Sequence, residues 1–121
     1  CFGSVEEIPE GYRDRAIHHH NPYNTNVRAN AEECARIGKE LARRVNGARG
    51  PVAVLFPLQG WSENTRPGQP LYDPASDAAL VDAFMALRQP HVRVEFIDAN
   101  LNDPPFVDHA VSLLQEMLAR D

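Results

Sequence analysis

The chain is predicted to be an α/β domain, a three-layer α/β/α arrangement of Rossmann-like type around a mostly parallel sheet. Three observations carry this expectation. Segments with strand character alternate with amphipathic helical segments. The run Val52–Phe56 is apolar throughout between Pro51 and Pro57, as in a strand buried on both faces. Asp-Pro helix starts stand at 73–74 and 103–104, separated by about 30 residues, the length of one βα unit.

Residues 1–14 have mixed polarity with Gly3, Pro9 and Gly11, and read as irregular. Residues 15–20 (RAIHHH) read as a short strand, and residues 20–30 as a polar, turn-rich loop. A helix is predicted over 31–46. Asn30 and Glu33 have the spacing of a capping box, and Cys34, Ile37, Gly38, Leu41 and Val45 form one stripe. Arg43 and Arg44 suit the negative end of its dipole, and Gly47 suits the position after it. The strand at Val52–Phe56 leads into a long loop, residues 58–73. Asp73 and Pro74 then start a second helix with the stripe Leu80, Ala83, Phe84 and Leu87, ending before Pro90. Residues 92–97 (VRVEFI) alternate, as a strand near a sheet edge does. Asp103 and Pro104 start a third helix, whose stripe of Val107, Ala110, Val111, Leu114, Met117 and Leu118 runs to the C-terminus.

Right-handed crossovers through this order give parallel strands with helices on both faces. Three strands leave open edges, so another segment or another subunit is expected to complete the sheet. The chain opens at Cys1 without Met, which reads as the C-terminal part of a longer protein or as a processed chain.

The charge balance is 12 Lys+Arg against 17 Asp+Glu, a formal net charge of −5. An acidic chain without clustered cations is a poor nucleic-acid binder. At 43% hydrophobic and 24% charged residues, the chain is too apolar to be disordered. No apolar run approaches the roughly 20 residues that span a bilayer. The two cysteines, Cys1 and Cys34, do not make a disulfide framework, which points to the reducing cytoplasm.

In an open α/β sheet, ligands gather beyond the carboxyl ends of the strands. There the chain has the loops 20–30, 58–73 and 98–103, all rich in Asn, Asp, Gly and Pro. His20, Asn21, Thr25 and Arg28 are candidates for anion contact, because Arg28 precedes a helix N-terminus whose amides already favour an anion. A surface ion pair explains Arg28 equally well. His18 and His20 would share one face of a strand. They read as hydrogen-bonded histidines in preference to metal ligands, since no third ligand has a recognisable spacing. Gln59 and Gly60 follow a strand and would let backbone approach a ligand. Asp98, ending the next strand, would accept a ligand hydroxyl. No Walker loop and no G-x-G-x-x-G fingerprint is present. Trp61 reads either as the cover of a pocket or as a contact with a neighbouring chain.

Four motifs in order also carry a resemblance. They are His20-Asn21-Pro22 with Thr25, Arg28 and Glu32-Glu33, then Pro57-Leu58-Gln59-Gly60, Tyr72-Asp73-Pro74 and Asn102-Asp103-Pro104. From Phe2 onward the chain resembles the C-terminal part of an uncharacterised two-domain family. That family is similar to the ATP-binding inhibitory region of the tomato mosaic virus resistance protein. The resemblance implies a longer protein with two α/β domains, a preceding N-terminal domain and a cleft between them, with ATP or another nucleotide as ligand. The pattern has Arg where this chain has Gln59, and Trp61–Gln69 departs from it.

The expected function is therefore ligand binding, for a nucleotide or another phosphorylated small molecule. One alternative is an enzyme acting on a small carboxylate or phosphorylated metabolite, with His18 or His20 as general base and Arg28 gripping the acid. The other is an assembly module without catalysis. Expected partners are a small molecule and either further copies of the chain or the preceding domain, with neither nucleic acid nor membrane.

Overall fold

The computed structural model describes residues 1–119. The polar stretch after residue 15 forms an antiparallel hairpin of β1 (Ile17–Asn21) and β2 (Asn24–Val27). The Asn21 side chain closes its turn by accepting from the Tyr23 N–H at 2.9 Å. Most of the loop expected at 20–30 is therefore strand and tight turn, and the predicted first strand begins later than residue 15. Phe2 adds a bridge on the far side of β2, exchanging backbone hydrogen bonds of 2.8 and 2.9 Å with Thr25.

Helix α1 (Ala31–Asn46) starts as its sequence predicts. Asn30 Oδ1 accepts from the Glu33 N–H at 2.9 Å, and the Glu33 carboxylate accepts from the Asn30 N–H at 3.1 Å. Its most buried positions are the small residues Cys34, Gly38 and Ala42, while Ile37 is half exposed. Packing against the next helix explains this. A Cβ on Gly38 would lie 2.1 Å from the Leu80 carbonyl oxygen, so only glycine lets the two backbones approach. Gly47 ends the helix, but in the right-handed conformation (φ −82°).

Strand β3 (Ala53–Pro57), helix α2 (Pro74–Leu87) and strand β4 (Arg93–Ile97) form one βαβ unit. β3 and β4 are parallel, pairing Ala53 with Arg93 through to Pro57 with Ile97. Asp73 caps α2, accepting from the Ser76 N–H at 3.0 Å. Side-chain alternation splits the pair into two faces. Val54, Phe56 and Val94 face the core with Leu80 and Phe84 of α2 and Cys34 and Ala42 of α1. Phe56 meets Phe84 edge-on at 5.2 Å and stacks on Phe96 at 5.7 Å.

The other face carries α3 (Pro104–Leu118). Glu95 of β4 pairs with His109 of α3, and a groove between β3 and α3 is lined by Ala53, Leu55, Ala110 and Leu113. Phe106 and Leu113 are buried, whereas Val107, Val111, Leu114 and Leu118 are 46, 50, 57 and 64% exposed. The predicted continuation of this helix into residues 120–121 lies outside the described residues.

The class is thus α/β, but among the described residues the parallel sheet has two strands and not three. The predicted first strand pairs instead with β2. Its sequence, Ile-His-His-His-Asn, is too polar to be buried on both faces, and a tight Asn-Pro-Tyr-Asn turn supplies a local partner. Among the described residues, no helix is long and apolar enough to cross a membrane.

Candidate functional site

Beyond the carboxyl ends of β3 and β4 the two chains continue side by side. The Leu58 N–H donates to the Ile97 carbonyl at 2.9 Å and the Gln59 N–H to the Ala99 carbonyl at 3.0 Å. This register brings two predicted site residues together, and Gln59 Nε2 donates to Asp98 Oδ1 at 2.7 Å. Gly60 turns the chain with φ +102°, where a Cβ would meet the Thr65 carbonyl at 2.7 Å and Asn100 Nδ2 at 3.0 Å. The close approach expected at Gly60 is thus met by the protein's own backbone.

Asn100 is fully buried at the centre of this edge. Its amide donates to the carbonyls of Gln59 and Ser62, both at 3.0 Å, and its Oδ1 accepts from the Asn102 N–H at 3.0 Å. Thr65 Oγ1 accepts from the N–H groups of Trp61 and Ser62 at 2.8 and 2.9 Å. Arg66 holds Glu63 at 2.7 Å and Asp103 at 2.8 Å. Asp103, expected as a helix cap, stands at the N-cap position of α3 but turns its carboxylate to Arg66 and to the Asn100 N–H. Those two contacts hold its carboxyl below the usual range. The loop 58–73 is therefore an ordered strap.

Under this strap lies a cleft of about 280 Å³ between the end of β3 and α2. Trp61, Tyr72 and Pro67 line it, with Gln59, Asp77 and Asp82 as polar groups. Trp61 packs edge-on against Phe56 at 6.0 Å and lines this cleft of its own chain. Asp77 pairs with Arg28, which also donates to the Asp73 carbonyl at 3.3 Å. Burial pushes the Asp77 carboxyl up, against the pull of Arg28 and of a hydrogen bond from Trp61. Asp73 is held low by its bonds to Ser76. Burial raises the Cys34 thiol as well, which favours its protonated form.

Arg28, Gln59, Gly60 and Asp98 thus gather around one edge. The other candidates stay on the hairpin. Thr25 is fully buried and donates to the Gly3 carbonyl at 3.0 Å, fastening the N-terminal segment. Asn21 closes the β1–β2 turn. His18 and His20 share a face with ring centroids 6.0 Å apart, and among the described residues no hydrogen bond or ion pair joins either to the cleft. No group of three or more His, Cys, Asp or Glu side chains among the described residues could hold a metal ion. Asp77 was not among the residues singled out in the sequence. Its only sequence signal is an acidic residue in the first turn of α2, and its partner Arg28 lies 49 residues away.

One family model matches residues 1–118, that of the C-terminal domain of the uncharacterised protein family UPF0261. The chain belongs to UPF0261. It is 36% identical over 118 residues to a UPF0261 protein of Rhizobium meliloti, covering 96% of this chain and 30% of that protein. A UPF0261 protein of Mesorhizobium japonicum is 33% identical over 115 residues, 93% of this chain and 29% of the relative. One of Brucella suis is 28% identical over 114 residues, 94% of this chain and 27% of the relative. The UPF0261 chain thus spans less than a third of the length of these curated relatives.

Proposed function

We propose that this UPF0261 chain is a ligand-binding α/β domain that takes a nucleotide, ATP-like, or another phosphorylated small molecule at the carboxyl edge of β3 and β4. One observation carries the reading. A cleft of small-molecule size opens where the loops after two parallel strands meet, the usual place for a ligand in such sheets. The nucleotide part of the reading follows from the likeness of the family, to which the four motifs point, to the ATP-binding inhibitory region of the tomato mosaic virus resistance protein, and that likeness is part of the proposal. The reading includes a larger three-layer sheet in a cytoplasmic protein. Among the described residues, β3 and β4 each keep a free edge and α3 keeps an apolar stripe, and the relatives have more than twice this length again to fill both. Cys1 and Cys34 are both free thiols, which suits a reducing compartment.

Calorimetry and thermal shift with ATP, ADP and small phosphates, on the complete polypeptide that carries this domain, test the proposal. Saturable heat with a rise in Tm is expected. A folded protein that gives neither overturns it.

A second reading, an assembly module, rests on the exposed stripe Val107, Val111, Leu114 and Leu118. Light scattering separates the two, since a strictly monomeric complete polypeptide removes assembly between copies.

A further inference from the structure

Among the described residues, the cleft offers a ligand much flat apolar wall and no cation. Phe56, Trp61 and Tyr72 are aromatic side chains of its lining, and none of the residues lining it is Lys, Arg or His. Its polar side chains include the carboxylates Asp77 and Asp82, together with Gln59. The nearest guanidinium groups are already engaged. Arg28 is paired with Asp77 through one terminal nitrogen, with only 15% of its side chain exposed, and its Nε is buried without a partner and out of reach of a ligand in the cleft. Arg66 is shared between Glu63 and Asp103. Nor is the first turn of α2 an open anion site, because the Asp73 carboxylate accepts from the Ser76 N–H there. A phosphate bears up to two negative charges and is held by cations or clustered N–H donors. It would meet carboxylates here.

We propose that the cleft takes the uncharged, aromatic end of the ligand, a purine or pyrimidine base with its sugar. The phosphates then leave the cleft toward cations supplied by the rest of the polypeptide. This rests on the nucleotide reading above and divides the ligand between two parts of the protein. The base lies against Trp61 and Tyr72, whose π faces stack on any base. A carboxylate accepts about four hydrogen bonds. Asp77, engaged by Arg28 and Trp61, keeps acceptor capacity, and Asp82 is exposed. Acceptors of this kind favour a base with N–H donors, such as an amino-substituted purine. The paired Arg28 fixes the Asp77 carboxylate in place and has no contact with phosphate.

Competition calorimetry on the complete polypeptide tests the division, with adenosine, ATP and inorganic tripolyphosphate as probes. Adenosine is expected to bind and to compete with ATP. Trp61→Ala should weaken adenosine and ATP by the same factor, at least tenfold, and leave tripolyphosphate unchanged. Tyr72→Ala guards against misfolding of the first variant, since Tyr72 is 47% exposed, and should weaken both nucleoside probes in parallel. If ATP binds while adenosine does not, and both variants keep full ATP affinity, the division falls and the nucleotide reading stands. If none of the probes binds the folded protein, both fall together.

Discussion

The carboxyl edge of β3–β4 and the β1–β2 hairpin look alike in sequence, both polar and both rich in Asn, yet they use their polar side chains in opposite ways. At the edge, side chains bond across long stretches of chain: Gln59 to Asp98, Asn100 to the carbonyls of Gln59 and Ser62, Arg66 to Asp103. In the hairpin, the Asn21 bond is local, His19 and His20 are exposed, and only Thr25 turns fully inward. A polar cluster becomes a rigid rim when its groups satisfy one another across loops, and such a rim can hold a ligand's geometry. Among the described residues, the hairpin's polar side chains reach beyond it only to the N-terminal segment, through Asn24 to Cys1 and Thr25 to Gly3, and build no such rim.

The sharpest way to break this contrast is Asn100→Ala. The substitution leaves the Gln59 and Ser62 carbonyls and the Asn102 N–H without partners inside a fully buried position. A cost of about 3 kcal/mol is expected, at roughly 1 kcal/mol or more for each orphaned group. Urea unfolding measures it. A loss below about 1 kcal/mol would mean that water replaces the side chain and that the rim is not held by it.

Gly60→Ala tests the same edge through its backbone. The left-handed φ of +102° disfavours any side chain, and the added Cβ would press on the Thr65 carbonyl. About 2 kcal/mol is expected, together with a displaced strap and weaker ligand binding. Alanine at Gly50, where a Cβ meets nothing within 4 Å, is the control and should be near neutral.

How much of this was legible beforehand follows from the range of each interaction. Capping of α1 by Asn30–Glu33 and of α2 by Asp73 depends on neighbours three residues apart, and the sequence displays both. The buried run at β3 and the βαβ crossover are likewise local patterns. The Asp103 carboxylate escaped because its choice between the α3 amides and Arg66 is settled by a loop 37 residues away. Asp77 and Asn100 escaped for the same reason, since only the folded chain brings Arg28 and Gln59 to them. The hairpin was hidden because its strands carry no apolar alternation. That Gln59, Gly60 and Asp98 lie at the carboxyl edge follows from one rule, the position of loops at the carboxyl ends of strands.

Acid should loosen the edge before the hairpin. The Asp103 and Glu63 carboxyls are both held low, chiefly by hydrogen bonds from Arg66. A carboxyl whose folded value is depressed contributes stability above its unfolded value, near pH 4, and loses it as pH falls through the folded value. The Phe2–Thr25 ladder is made of backbone bonds alone and does not titrate. Below about pH 4, pepsin should therefore cut within residues 58–73 first. Cleavage that begins at residues 17–27 instead would reverse the ranking of the two regions.

The smallest effect is expected at His18 and His20. Both lie on β1 with their rings near each other, and among the described residues neither bonds to the cleft. The double substitution to alanine should change stability by no more than about 0.5 kcal/mol, as surface changes do. It should also leave nucleotide affinity of the complete polypeptide within twofold, because the histidines lie outside the rim that shapes the cleft. A general base on the hairpin predicts the opposite, a loss of turnover in any reaction the protein performs, with binding retained. A substrate screen of the wild type and the double variant, run beside the calorimetry, reads both outcomes. Loss of binding in the variant would bring the hairpin back to the site and end the distinction between a bonded rim and a solvated strand pair.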